Sequence, residues 1–112
     1  MKIAVPTVEG KLCTHFGHCQ QFCIIDVDKD NKIVTKQMLT PPAHEPGVLP
    51  RWLGEQKVTH ILAGGMGVRA QELFAQNQIT VVTGVQGSPS PEDAVTAYLA
   101  GSLQTGANAC SH

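Results

Sequence analysis

The densest chemistry in the chain lies in the stretch Cys13-Thr14-His15-Phe16-Gly17-His18-Cys19-Gln20-Gln21-Phe22-Cys23, which carries three of the four cysteines and two of the five histidines. Thiolates and imidazoles are soft to borderline donors that suit zinc, copper and iron-sulfur chemistry. A stretch without carboxylates suits magnesium or calcium badly. Cys13-x-His15 and His18-Cys19 bring four such donors together within seven residues. Neighbouring side chains of an extended strand point to opposite faces, so His18 and Cys19 can converge only if they lie in a loop. The competing reading is a set of half-buried loop side chains with satisfied hydrogen bonds and no ligand. Cys23 is a different case. It is followed by Ile24 and Ile25 in a run of strand character, which marks it as a core residue, cysteine being among the most buried types. Cys110-x-His112 repeats the donor pairing at the end of the sequence. The residues after Gly101, extended at ~3.3 Å each, would span about 35 Å, enough to return to a site at the far end of the fold. An unstructured tail is the alternative.

Gly64-Gly65-Met66-Gly67-Val68-Arg69-Ala70 follows an apolar run and opens a helical pattern, and formally contains the G-x-G-x-x-A spacing of dinucleotide sites. The supporting acidic residue is missing, since the next strand ends in Thr83-Gly84. The mechanics still hold: glycines ahead of a helix leave backbone N–H groups facing outward, where they can steady an anion. A close strand-to-helix turn without a ligand is the plainer reading. Catalytic constellations are poorly represented. The first strand carries no carboxylate for two-metal chemistry, Asp26 and Asp28 fall near the far end of the sheet, and no nucleophile, base and orienter set is apparent beyond Cys13 beside His15. His60, between Thr59 and Ile61, reads as a sheet histidine.

The elements that would position these groups follow from periodicity. Lys2 to Pro6 is a first strand ended by proline, and Thr7 to Gln20 a long loop of the kind that is usually functional. Phe22 to Asp28 is a second strand, Asp28 to Asn31 a turn, and Lys32 to Thr40 an alternating third strand paired antiparallel to the second. Pro41-Pro42 stops pairing. A first helix holds Val48, Leu49, Trp52 and Leu53, with Pro50 tolerated in its first turn. Val58 to Ala63 is a fourth strand, Gly67 to Gln76 a second helix with Asn77 as its cap, and Ile79 to Thr83 a fifth strand. The last helix has Ser90 as cap, Pro91 at its first position, Asp93 in a capping box, a buried face of Ala94, Val95, Tyr98 and Leu99, and Gly101 as its stop. This order predicts an α/β domain with a five-stranded mixed sheet of spatial order 3-2-1-4-5 and three helices. The Cys13 to Cys19 loop, His44, the Gly64 to Gly67 turn and Gly84 then gather at one end of the sheet, where open α/β sheets bind ligands.

The totals narrow the function. At 112 residues the chain is one domain, residues 1–112, with 102–112 as a tail. A net charge of -1 offers no field for a nucleic-acid backbone. No run approaches a membrane span or a signal segment, so a cytoplasmic protein is expected. In a reducing compartment the cysteines serve as ligands, reactive thiols or core residues rather than disulfides.

Lys2-Ile3-Ala4-Val5-Pro6, His15-Phe16-Gly17 with Phe22 after it, Leu49-Pro50-x-Trp52-Leu53, Ala63-Gly64-Gly65-Met66-Gly67-x-Arg69-Ala70 and the ending Asn108-Ala109-Cys110-x-His112 together resemble the dinitrogenase iron-molybdenum cofactor biosynthesis family. This is the family of NifX-like and NifB-tail-like domains, including the orange protein branch, and the likeness spans essentially the whole chain. It implies a ribonuclease H-like α/β fold without the nuclease residues. It also implies non-enzymatic binding, carriage or insertion of a metal-sulfur cluster of Fe-S, Fe-Mo-S or Mo-Cu-S type, exchanged with a cluster-donating or cluster-receiving protein. Where many members have Arg-Ala after His-Phe-Gly, this chain has His18-Cys19, and Cys13 is not a position the family pattern supplies. The expected metal donors are Cys13, His15, His18, Cys19, Cys110 and His112, and the expected cluster-cradling residues Gly64, Gly65, Met66, Gly67 and His44. A regulatory or interaction module of the same fold without a cluster is the alternative, and a thiol enzyme using Cys13 and His15 a third.

Overall fold

A computed structural model describes residues 1–13, 20–42, 47–85, 90–101 and 103. The elements are β1 (Lys2–Val8), β2 (Lys11–Leu12), β3 (Gln21–Val27), β4 (Ile33–Leu39), α1 (Val48–Glu55), β5 (His60–Leu62), α2 (Val68–Gln76), β6 (Thr80–Val82) and α3 (Pro91–Ala100). The sheet runs β4-β3-β1-β5-β6, with β2 paired to β1 outside that path. Strands β1, β5 and β6 are parallel, while β3 is antiparallel to both β1 and β4. Leaving β2 out of the count, this is the predicted order. Among the described residues no helix is long and apolar enough to cross a membrane.

Alternation along the strands sorts the core into two layers. Ala4, Phe22, Ile24 and Ile61 pack with Leu49 and Leu53 of α1 and Phe74 of α2 on one face. Ile3, Val5, Cys23, Ile25 and Leu62 pack with Ala94 and Val95 of α3 on the other. Both faces of the central strands are therefore covered, which is why they read as apolar runs rather than as alternating ones.

Two local expectations are corrected. β1 does not stop at Pro6 but continues to Val8. A residue's N and C=O point to the same edge of a strand, and Pro6 accepts from the Cys13 N–H at 2.8 Å on its β2 edge. The donor that proline lacks is thus the one that would have gone back to Cys13, and the β1–β2 ladder ends there. The stretch from Thr7 to Gln20 is also not all loop. Glu9 and Gly10 both have positive φ, 53° and 81°, which gives a two-residue turn of the twist that hairpins favour and brings Lys11–Leu12 back onto β1. The helix ends behave as the sequence indicates. Pro50 lies in the first turn of α1. Ser90 accepts from the Asp93 N–H at 3.2 Å, and Gly101 stops α3 at φ 74°.

Candidate functional site

β2 lies on the β5 side of β1, in the space left where the β1–β5 pairing ends at Ala4 and Ile61. Cys13, the residue after β2, is thereby fixed beside the chain leaving β5. It is buried in the same apolar cluster as Ala63, Met66, Leu49 and Phe22. The Gly64–Gly67 turn is held from two directions. The Gly84 N–H donates to the Gly64 C=O at 2.7 Å and Val85 N–H to Ala63 C=O at 3.2 Å, while the Gln71 side chain donates to the Met66 C=O at 2.9 Å. Gly64, Gly65 and Met66 are buried; Gly67 is half-buried and stands as the N-cap of α2 in extended conformation. Of the predicted residues, the structure brings together Cys13, Gly64, Gly65, Met66 and Gly67 at the C-terminal end of the parallel strands. His15, His18, Cys19, His44, Cys110 and His112 lie outside the described residues. Among the described residues no three His, Cys, Asp or Glu side chains gather closely enough to hold a metal ion.

Among the described residues, two helix starts contribute backbone N–H groups to this end. α1 and α2 have no acidic residue in their first turns and, among the described residues, no side chain capping them, whereas α3 has Ser90 as cap and Glu92 and Asp93 behind it. The first N–H groups of α1 and α2 therefore keep their positive character for whatever approaches. Gln71 was not foreseen as a bracing residue. A glutamine in the second turn of a helix reads as solvated surface, and only its reach back to Met66 distinguishes it.

Cys23 sits in the α3 layer, fully buried, and burial pushes its thiol up to about 11, as expected of a core cysteine with no reactive role. His60 lies at the opposite end of the sheet, its ring 5.8 Å from that of Tyr98 and its Nδ1 2.8 Å from Thr59 Oγ1. Burial, and secondarily the positive N-terminus, hold its pKa below the ordinary 6.5. The unfolded chain then binds a proton the folded chain resists. This contribution to stability is present above the unfolded value and is lost as pH falls through the folded one. Denaturant titrations at about pH 8 and about pH 5 should show that loss, and H60Q should shrink the difference between them.

A family model described as dinitrogenase iron-molybdenum cofactor matches residues 1–101. The chain belongs to that family. An uncharacterized protein of Methanocaldococcus jannaschii is 27% identical over 108 residues, covering 93% of this chain and 90% of its own. The crystal structure of PH0822 superposes with a TM-score of 0.83 at 28% identity, over 95% of this chain and 96% of that one. The apo form of the orange protein from Desulfovibrio gigas shares the fold, with a TM-score of 0.72 at 21% identity over 96% and 93% of the two chains. Open α/β sheets bind ligands at the C-terminal end of their parallel strands, which here is the end with the Gly64–Gly67 turn.

Proposed function

We propose that this family member binds a metal-sulfur cluster as cargo and carries it between proteins in the cytoplasm, without catalysing a reaction of its own. The observation that carries the reading is that Cys13, brought back onto β1 by the β1–β2 hairpin, is buried in the same cluster as Met66 of the Gly64–Gly67 turn. Cys13, His15, His18 and Cys19 would supply soft donors of the kind that bind iron, copper and molybdenum-sulfur units. Cys110 and His112 would close the site, together with His44. Gly64, Gly65, Met66 and Gly67 would cradle the cluster, and the bare start of α2 would steady the negative charge of bridging or terminal sulfides. Residues 1–112 are taken as one unit with a ribonuclease H-like sheet order. The absence of carboxylates from β1 fits a scaffold used for holding rather than cutting. The cargo is of Fe-S, Fe-Mo-S or Mo-Cu-S type.

Anaerobic reconstitution tests this directly, with iron and sulfide in one arm and thiomolybdate with copper in the other. A visible chromophore that stays with the protein through gel filtration, at a fixed metal-to-protein ratio, is the expected result. Colourless protein after every arm would sink the proposal and leave the regulatory or interaction module as the better reading.

A further inference from the structure

Among the described residues β4 is the one strand in the sheet path whose two faces both lie open: Ile33 through Met38 are exposed, with Ile33 at 39%, Val34 at 60% and Met38 at 39%. Among the described residues it is also an edge, bonded to β3 on one side only. An exposed, seven-residue, β-branched edge is a template for strand addition unless charge, proline or a cover blunts it. The only charge within it is Lys36, whose Nζ is already 3.0 Å from Glu92 Oε2 of α3.

The order of residues along β4 identifies what fits there. Read outward from Lys36, the central five residues are symmetric in character: Thr35 and Gln37 are polar, Val34 and Met38 apolar. A two-fold axis through Lys36, perpendicular to the sheet, would set each residue opposite its counterpart in a second strand. Thr35 would meet Gln37 and Val34 would meet Met38, whereas Ile33, opposite Val27 of the α3 layer, and Leu39, opposite Phe22 of the other layer, stand on different faces and do not pair. A self-complementary pattern of this kind is what an isologous contact demands, and apolar cross-strand pairs stabilise such an edge. Lys36 and Met38 share the face of α3, since their partners Ile25 and Cys23 pack in that layer. The two central lysines would meet there with a Glu92 beside each of them. Glu92 Oε2, 3.0 Å from Lys36 Nζ, keeps a negative charge next to that axis. The register with β3 is regular from Thr35 to Leu39 and shifts at Val34, so the central pairs carry the alignment.

We propose that β4 is a dimer edge: a second copy of this chain adds its own β4 antiparallel across a two-fold axis at Lys36, extending one sheet through both copies. In the sheet path β3 and β1 separate this edge from β5, which leads into the Gly64–Gly67 turn. A single strand edge is a small interface, and a dissociation constant of roughly micromolar order is expected.

Sedimentation of the full-length, metal-free protein over a wide concentration range tests this. A dimer that dissociates on dilution is expected. The double variant V34K/M38K, with both changes at exposed positions, should raise the dissociation constant by roughly thirtyfold or more. In K36C, mild oxidation should join the peptide carrying position 36 to itself, because opposed residues of antiparallel strands lie within the Cα range of a disulfide. Mass spectrometry of the digest identifies that link without confusion from the native cysteines. A monomer up to about millimolar protein, well above the expected constant, overturns the proposal. So does a dimer indifferent to V34K/M38K, or a dimer in which K36C never links to itself.

Discussion

Replacing Phe22 with alanine should destabilise the protein by about 3–5 kcal/mol. Phe22 is fully buried and belongs to the layer that joins the sheet to α1 and α2. Its ring meets Trp52 edge-on, with centroids 5.8 Å apart and planes at 65°, a geometry that adds to simple burial. In the sheet it lies between Pro6 and Leu39, so its neighbours on both strands lose a packing partner together. A domain of this size has roughly 5–15 kcal/mol in total, and the variant would spend a large share of its time unfolded on mild heating. Trp52 is the chain's only tryptophan, so its emission during a denaturant titration reports both global stability and the state of this contact. Ile24→Val, in the same layer, should cost only about 0.5–1.5 kcal/mol. If the two variants lost similar small amounts, the packing assigned to Phe22 would be wrong.

The parts of the fold legible in the sequence are those where local chemistry and tertiary context agree. α3 announces itself through Ser90, Pro91, Asp93 and Gly101, each acting at the position where it is found. The apolar runs at β1, β3 and β5 mark strands covered on both faces, and the order of strands and helices leaves few right-handed arrangements open. β2 was hidden because it has only two residues and its turn begins with Glu9, which lacks the turn preference of Asn or Asp at a positive φ. Pro6 misled for a related reason: a proline ends pairing on one edge of a strand but not on both, and which edge it spoils depends on the neighbour. The candidate site was legible as an end of the sheet. Gly64 to Gly67 and Cys13 meet there because β5 and the β1–β2 hairpin deliver them to the same edge. The burial of Cys13 was not legible. Its partners, Ala63, Met66 and Leu49, are about 35 to 55 residues away in sequence and are brought to it only by the crossover through α1.

That burial makes the two described cysteines a matched pair for the second large effect, because both are enclosed in apolar clusters yet lie on opposite faces of the sheet. Cys13→Ala and Cys23→Ala each remove one sulfur from a packed site and should each lower stability by about 1 kcal/mol. Metal retention should separate the pair. If Cys13 acts at the cluster, Cys13→Ala will weaken retention by at least about tenfold to a hundredfold, the range that follows loss of even an outer partner of a metal ligand. Cys23→Ala will leave it unchanged, since that thiol faces α3 and its burial opposes the thiolate form. The measurement is the metal-to-protein ratio and visible absorption after anaerobic reconstitution, set beside a melting curve for each variant. Equal chromophore in both alanine variants would make Cys13 a core residue like Cys23 and return the donor role to His15, His18 and Cys19. Loss in Cys13→Ala alone, at matched stability, would fix the sulfur beside the Gly64–Gly67 turn as part of the binding surface.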